Sequence, residues 1–288
     1  MRITNKGVYD SIKYNLGKIT EEMNKANEIT SSGKRITDLS DDPVGLTQAL
    51  KLKSAISGID QLGRNVSLGN SWLAASESAL TSVQDLISDT KSLCVQMASS
   101  TSGASERASA ATTIQNTIDE ILSLANTEVS GRYIFSGTKT DSQAFDQSGT
   151  YLGNNESFAV KIGTDTTMNV GRDGSEVFGT IFADLTDLKN DLLNNNIGGI
   201  QSSLDDLTVH FNNTTNTISD IGSKMNRMEI KEQILQDLDI VNTDRLSVIE
   251  DADIADAIIK IKELEVAYQA ALSSSSKIMQ LSLVDYLK

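Results

Sequence analysis

The sequence predicts a mainly α-helical fold in which long coiled-coil helices from both chain ends form an elongated rod, with a small β-rich domain inserted in the middle. Apolar residues recur at alternating intervals of three and four near both ends of the chain, which is the spacing of a coiled-coil seam. Aromatic residues make up 5% of the 288 residues and proline occurs once, as is typical of long helices rich in small and aliphatic side chains. In the middle of the chain the spacing changes to short alternating runs, which predict strands.

The first seam predicts a helix that ends within residues 31–33. Its positions are Tyr9, Ile12, Leu16, Ile19, Met23, Ala26 and Thr30. Ser31, Ser32 and Gly33 then interrupt the pattern, because serine and glycine favour helix ends over helix interiors.

The segment ITSSGKRITDLSDDPVG, residues 29–45, contains a Gly-Lys pair but does not match a nucleotide-binding loop. A Walker loop needs a glycine five residues before that pair and a Ser or Thr directly after it. The chain has Glu28 and Arg35 at those two places. The segment is instead predicted to be a helix-loop-helix connector.

The residues at the end of this connector support that prediction. Pro43 has a backbone angle suited to the first turn of a helix, and Asp42 before it can cap the free amides. We expect Lys34 and Arg35 to meet the negative end of the preceding helix, and Asp41 with Asp42 the positive end of the next one.

From Leu52 the seam resumes and predicts a helix of about fifty residues that reaches Met97. The polar break STSGASE at 100–106 precedes another seam, which extends from Ala111 to Ala125. A short polar break between two such helices predicts an antiparallel hairpin.

Residues 138–180 are predicted to form the β-rich insert, because short alternating runs are separated there by glycine-containing turns. A short amphipathic helix is predicted at 181–193, and a long returning seam extends from Ile200 to Leu235. After a looser stretch from Asp244 to Asp253, a last seam comprises Ile261, Leu264, Tyr268, Ala271, Ser275 and Ile278.

These patterns divide the chain into five predicted segments. They are an N-terminal coiled-coil arm at 1–40, the first half of a helical rod at 41–137, the β-rich insert with its short helix at 138–196, the returning half of the rod at 197–245, and a C-terminal coiled-coil arm at 246–288.

The two terminal seams must bury their apolar stripes against each other or against neighbouring subunits. We predict an assembly interface formed by Tyr9, Ile12, Leu16, Ile19, Met23, Ile261, Leu264, Tyr268, Ala271 and Ile278. Small residues such as Ala26 and Ser275 leave each seam with little apolar surface to bury. A single pair of these helices is therefore expected to be marginally stable. We therefore expect both ends to be mobile in a free monomer and to order on assembly.

Charge and composition argue against several other functions. A net charge of −14 repels phosphate groups and anionic lipid, so nucleic acid and membrane partners are not expected. Cys94 and His210 are each the only residue of their type, which rules out an internal disulfide and a thiolate zinc cage. Cys94 and Trp72 are interpreted as packing residues, and His210 as a surface histidine or one with a hydrogen-bond partner. The N-terminus has no apolar stretch long enough for a cleaved signal or a membrane span.

The remaining matches to enzyme and metal motifs are weak. Ser31-x-x-Lys34 and Ser274-x-x-Lys277 have the serine-lysine spacing of penicillin-interacting enzymes, but the companion signatures are absent. A calcium loop starting at Asp251 lacks the glycine and the glutamate that it requires. We therefore predict no catalytic residue, no cofactor and no metal site, and we expect the function to depend on surfaces.

Several stretches resemble the bacterial flagellin superfamily. The connector at residues 29–45 resembles the joint of that family, and SLCVQMASSTSGASERASAATTIQNTIDEILSLANT looks like the hairpin that follows it. EDADIADA and LSLVDYL resemble the closing helix. Within the superfamily, MRITN, SGRYIFSGTKT, DIGSKMNRMEIKEQ and LSLVDYL are more similar to the proteins that join hook and filament than to filament flagellins. One departure is the place where flagellins carry two arginines and a glutamate, which here holds Asp89, Lys91 and Ser92.

The resemblance implies an extracellular structural protein of the bacterial flagellum, an axial adaptor joining hook to filament, exported through the flagellar type III apparatus with its N-terminus uncleaved. Its implied partners are copies of itself in a ring, the other hook-associated junction protein, flagellin and an export chaperone. The alternatives are filament flagellin and, in another class, a secreted coiled-coil effector or translocator. An enzyme is the remaining reading.

Overall fold

A computed structural model describes the backbone of residues 2–286 and the side chains of residues 6–277. The helices are α1 (Arg2–Ser32), α2 (Pro43–Met97), α3 (Ala104–Ala125), α4 (Gly174–Phe178), α5 (Ile181–Leu193), α6 (Ile197–Glu250) and α7 (Ile254–Tyr286). The strands are β1 (Glu128–Val129), β2 (Arg132–Tyr133), β3 (Ala159–Lys161) and β4 (Thr167–Asn169). Long terminal helices with a few short strands in the middle confirm the predicted fold class.

The chain divides into two compact units. The chain-end unit contains the N-terminal part up to Gly58 and the C-terminal part from Leu238 onward. The central unit is Ile59–Asp237. Helices α2 and α6 contribute to both units.

Most predicted helix ends agree with the structure. Gly33 follows α1 with a φ of 72°, a left-handed conformation that glycine adopts without strain. Pro43 is the first residue of α2, and Asp42 caps that helix because its Oδ1 accepts a hydrogen bond from the Gly45 amide at 2.8 Å. Helix α5 has the bounds that the sequence predicts.

Helix α6 is longer than its seam suggested. The predicted boundary at 246 lies within this helix, which continues to Glu250, and residues 251–253 separate it from α7. The looser periodicity changes which side chains are buried. It does not interrupt the backbone hydrogen bonds, because neither glycine nor proline occurs between Asp244 and Asp253.

The core of the central unit is formed by the seam residues of its helices. Among the fully buried side chains are Leu73, Leu80, Ile87, Ile114, Ile121, Leu185 and Leu188. Cys94 is buried among them, and burial raises the pKa of its thiol to about 11, so it behaves as a small apolar side chain. His210 is also largely buried, and its Nε2 lies 2.7 Å from Asp184 Oδ2 on α5.

The middle of the chain contains less strand than the alternating runs suggested. Strands β1 and β2 form one antiparallel pair, and β3 and β4 form another. The run at Ala144–Phe145 makes only an isolated bridge, to Tyr151. Phe145 instead packs against Phe178 and Phe182, with ring centroids 5.4 and 5.2 Å apart. Because one aromatic cluster buries these apolar residues, an extended strand ladder is not needed.

The second hairpin packs against the long helices. The ring of Trp72 on α2 lies 4.9 Å from that of Phe158, next to β3, and Trp72 is fully buried. A Cβ at Gly69 would lie 3.2 Å from Val160 and 3.3 Å from Val170, so a glycine allows the hairpin to approach α2 closely. Trp72 is therefore the packing residue that the sequence predicts.

Arg107 on α3 connects two chain reversals. It is 3% exposed, its Nε donates to the carbonyl of Met97 at 2.8 Å, and its Nη2 donates to that of Ser99 at 2.9 Å. Its Nη1 donates to the side-chain oxygen of Asn195, which follows α5. The guanidinium thus satisfies the Met97 carbonyl at the end of α2 and gives a second donor to the Ser99 carbonyl, which also accepts from the Ser102 amide.

We expect Arg107→Met to lower the free energy of unfolding by about 1 to 3 kcal/mol, because buried carbonyls lose charged hydrogen-bond donors. Urea unfolding followed by circular dichroism measures this change. The matched control is Arg132→Met, at an exposed arginine. Equal stability of the two variants would contradict a structural role for the buried guanidinium.

Candidate assembly interface

The terminal helices α1 and α7 pack against each other. They are antiparallel, because the end of α1 meets the start of α7, where the Ala252 amide donates to the Gly33 carbonyl at 2.9 Å. Ala26 on α1 and Leu264 on α7 are each 6% exposed. The two terminal seams therefore pair with each other within one chain.

The predicted assembly residues occupy different environments in this pair. Leu264 is buried, and Tyr9 is 57% exposed. The half-buried residues are Ile12, Leu16, Ile19, Met23, Ile261, Tyr268 and Ala271. Ile278 lies outside the residues whose side chains the structure describes. A contact with neighbouring copies through these residues stays a prediction.

The small seam residues carry hydroxyl groups that bond within their own helices. Thr30 Oγ1 donates to the Ala26 carbonyl at 2.8 Å, and Ser275 Oγ donates to the Ala271 carbonyl at 2.6 Å. These polar groups are therefore satisfied inside a seam that contains little apolar surface. Packing between α1 and α7 therefore buries little apolar surface.

Sequence periodicity missed the apolar residues that lie off the seams. On the chain-end unit these include Tyr14, Leu39, Val44, Val248, Ile259 and Val266, all more than half exposed. Tyr14 and Val266 lie on the sides of α1 and α7 that face away from the seam, as their helical spacing requires. Their signal in the sequence is an apolar residue between seam positions, which a search for the dominant period discards.

The connector is attached to the end of α6 by hydrogen bonds from Arg35 to two backbone carbonyls. The Arg35 amide donates to the carbonyl of Glu250 at 2.7 Å, and Arg35 Nη2 donates to that of Ile249 at 2.9 Å. Lys34 and Arg35 thus meet the C-terminal end of α6. The sequence had predicted that they would meet the end of α1. The prediction identified the charge preference but not the helix, because a distant helix end cannot be recognised from local sequence.

Asp41 organises the connector itself. Its carboxylate accepts hydrogen bonds from the Thr37 and Asp38 amides, each at 3.2 Å, and from the Lys25 ammonium on α1. The Lys25 hydrogen bond, with those from the two amides, holds the pKa of the Asp41 carboxyl well below its usual range. Asp41 therefore closes the loop, while Asp42 alone caps α2.

Glu250 is the charged centre of this junction. Its side chain is 6% exposed, with Lys53 Nζ at 2.5 Å from one carboxylate oxygen and Lys34 Nζ at 3.3 Å from the other. Burial raises the pKa of Glu250, but the hydrogen bonds from Lys53 and Lys34 outweigh burial and leave the pKa below its usual value. Because Lys34 is bound in this way, it is not positioned as the base of a serine nucleophile.

An apolar groove lies beside the junction, between α2 and α6. It has a volume of about 560 Å³ and is lined by Gln48, Lys51, Leu52, Asp244, Arg245, Val248 and Ile249. Within the described part of the chain, no group of three or more His, Cys, Asp or Glu residues is arranged to hold a metal ion. None of the described helices has the length and apolar composition of a membrane span.

We expect Glu250→Gln to weaken the junction at neutral pH by about 1 to 3 kcal/mol, because two ammonium groups lose their carboxylate. The folded-state pKa of Glu250 lies below the unfolded value of roughly 4.3, so this stabilisation is present at pH 7 and is lost as pH falls through the folded value. The difference between variant and wild type should therefore narrow at acidic pH.

Amide hydrogen exchange of Arg35 and Ala252, whose amides make the junction's backbone bonds, measures the opening free energy at each pH. Glu263→Gln is the matched control, because Glu263 is 66% exposed and its nearest ammonium, Lys260, is 4.0 Å away. If Glu250→Gln leaves the protection of both amides unchanged at pH 7, the charged junction does not hold the connector.

Comparisons with known proteins bear on both ends of the chain. The bacterial flagellin N-terminal helical region matches residues 3–140, and the bacterial flagellin C-terminal helical region matches residues 204–287. Flagellar hook-associated protein 3 of Salmonella typhimurium is 33% identical over 183 residues, which cover 63% of this chain and 58% of that protein.

Two further similarities involve a flagellin and a solved structure. Phase 1 flagellin of Salmonella naestved is 31% identical over 182 residues, covering 62% of this chain and 35% of the flagellin. The crystal structure of Bacillus cereus FlgL has the same fold, with a TM-score of 0.62 and 20% identity over 68% of this chain and 99% of that one. This chain thus spans less than two thirds of the length of the Salmonella relatives.

The two family matches cover both helical ends and most of the chain. Both matched regions are described as helical, which agrees with the long helices α1, α2, α6 and α7. This chain belongs to the bacterial flagellin family.

Proposed function

We propose that this chain is a structural, non-enzymatic protein of the bacterial flagellum, an axial adaptor that joins hook to filament outside the cell. The observation that carries the proposal is the 33% identity to a flagellar hook-associated protein 3, aligned over 58% of that relative. The flagellin match has similar identity but covers 35% of its relative. Filament flagellin is therefore the second candidate.

The proposed assembly uses the chain ends for the inner wall of an axial tube. Segments 1–40 and 246–288 form paired inner helices, 41–137 and 197–245 form an outer rod, and the insert at 138–196 faces outward. Pairing of α1 with α7 supports this arrangement. Because of this pairing, each copy contributes a two-helix unit instead of two separate helices with unpaired apolar stripes.

The proposed partners follow from the position between hook and filament. They are copies of this chain in a ring, the other hook-associated junction protein on one side and flagellin on the other. An export chaperone is proposed to hold the C-terminal helix before secretion. The exposed apolar residues of α7, Ile259 at 58% and Val266 at 66%, support a need for such protection.

Deletion of the gene in its host tests the proposed function directly. We expect hooks to remain on the cells while flagellin is shed into the medium, because filament growth would lack its base. Electron microscopy of the cells and immunoblots of the medium measure both outcomes. Normal filaments on the deletion strain would exclude the adaptor function, whereas polymerisation of the purified protein into long filaments would favour flagellin.

We expect Leu16→Asp with Ile19→Asp to abolish assembly and swimming. Both residues are half-buried on α1, and two added carboxylates in the thin pair would separate α1 from α7. The central unit should remain folded, because Ile59–Asp237 forms its own compact core. Motility in soft agar measures assembly, and thermal unfolding measures the central unit.

Asn15→Asp with Asn24→Asp is the matched control, because it adds the same two charges to α1 at exposed positions. Motility like that of the wild type is expected for this control. Wild-type motility of the Leu16→Asp, Ile19→Asp variant would reject the role of the seam in assembly.

A further inference from the structure

The groove between α2 and α6 belongs to a larger exposed apolar patch. Val248 at the groove is 84% exposed, and Val44 and Val241 are 68% and 45% exposed. Val44 lies one turn before Gln48 on α2, and Val241 lies two turns before Val248 on α6, so both extend the same face. An apolar patch of this kind marks a site of association.

The rim of the groove carries positive charge. Its walls are almost entirely apolar, so Lys51 and Arg245 contribute their methylene stems and leave their charged ends at the rim. Both residues are exposed, and Asp244 supplies one opposing charge. An apolar knob with a neighbouring carboxylate would fit this groove.

The connector of the same chain presents such a knob. Leu39 is 66% exposed, and Asp38 directly before it is also exposed. The loop is already shaped, because Asp41 binds the Thr37 and Asp38 amides and Ile36 is 97% buried. A preorganised loop loses little conformational entropy when it docks.

We propose that the groove of one copy receives the Leu39 tip of a second copy, with Asp38 facing Arg245 and Lys51. The proposal rests on the proposed self-assembly of the chain and identifies the surfaces that meet. Leu39 does not line its own groove, so each copy offers a knob at one place and a groove at another. Such a heterologous contact generates a ring or a helix.

The outer faces of α1 and α7 fit the groove less well. Near Ile259 and Val266, Lys262 Nζ lies 2.8 Å from Glu265, and Lys260 Nζ lies 4.0 Å from Glu263. The two lysines and two glutamates of this stretch carry no net charge, so this face offers no complement to a positive rim. The outer face of α1 around Gly17 carries charges of both signs.

Cysteine cross-linking of the full-length chain tests the contact. In the Leu39→Cys, Val248→Cys variant, a short bis-maleimide should link successive copies into a ladder of trimers and larger species. Either single-cysteine variant should give dimers at most. Native Cys94 can remain, because it is buried and burial raises its thiol pKa to about 11, so it should not react. Absence of a ladder from protein that self-associates overturns the proposal.

A charge exchange provides an independent test. Asp38→Arg and Arg245→Asp should each weaken self-association by roughly tenfold or more, because like charges then meet at the rim. The double variant, and an equimolar mixture of the two single variants, should regain association. Asp60→Arg is the matched control for a charge change at an exposed position of α2. Sedimentation velocity measures each association.

The outcomes separate this contact from the proposed function. If wild-type protein associates but neither the double variant nor the mixture of the single variants regains association, the proposed contact is wrong and the adaptor function stands. If wild-type protein does not associate and the deletion strain keeps its filaments, both are wrong. Restoration by the double variant, together with the cross-linked ladder, supports the contact.

Discussion

The chain-end unit depends on the ion pairs that the buried carboxylate of Glu250 makes with two lysines. Burial of a carboxylate is costly unless cations compensate it, and here Lys34 and Lys53 come from parts of the chain that are 216 and 197 residues earlier, respectively. The ion pairs bring the connector, α2 and the end of α6 to one point. Backbone bonds from Arg35 and Ala252 then fix where α1 ends and where α7 begins. The antiparallel pairing of the terminal seams follows from this junction.

Local periodicity was sufficient to predict the helices but not the junction. A three-four spacing requires a helical backbone, so α1, α2, α3, α5 and most of α6 could be located from sequence. Capping by Asp42 was equally predictable, because the cap and its amide are three residues apart. The pairing of Glu250 with Lys34 and Lys53 was not, since no local pattern links residues so distant in sequence. The amount of strand in the middle of the chain was overestimated, because alternating apolar residues can also be buried in a cluster of phenylalanine rings.

The residues of the candidate interface also fall into two groups, those that the sequence predicts and those that only the structure reveals. Seam residues such as Leu16 and Leu264 were predicted from their spacing. In the structure Leu16 is half-buried and Leu264 is buried, on helices α1 and α7 that pack against each other. The groove at Val248 and the tip at Leu39 lie off the seams, and exposure becomes visible only when the fold is known. Two apolar patterns therefore coexist in the chain ends. One pattern closes the two-helix pair, and the other remains on its surface after that pair has formed.

This division constrains how copies can assemble. Because the seams already pair within each chain, a buried part of the stripe such as Leu264 is available to a second copy only if that pair opens. A contact that leaves the pair intact must use the surfaces that remain. A self-complementary surface would close after two copies, whereas a ring or a tube needs two different surfaces on every copy. The Leu39 tip and the Val248 groove are two different surfaces of this kind, since one is an exposed leucine beside Asp38 and the other is an apolar groove with Lys51 and Arg245 at its rim. The geometric rise and rotation of that single contact would then decide between a closed ring and an open helix.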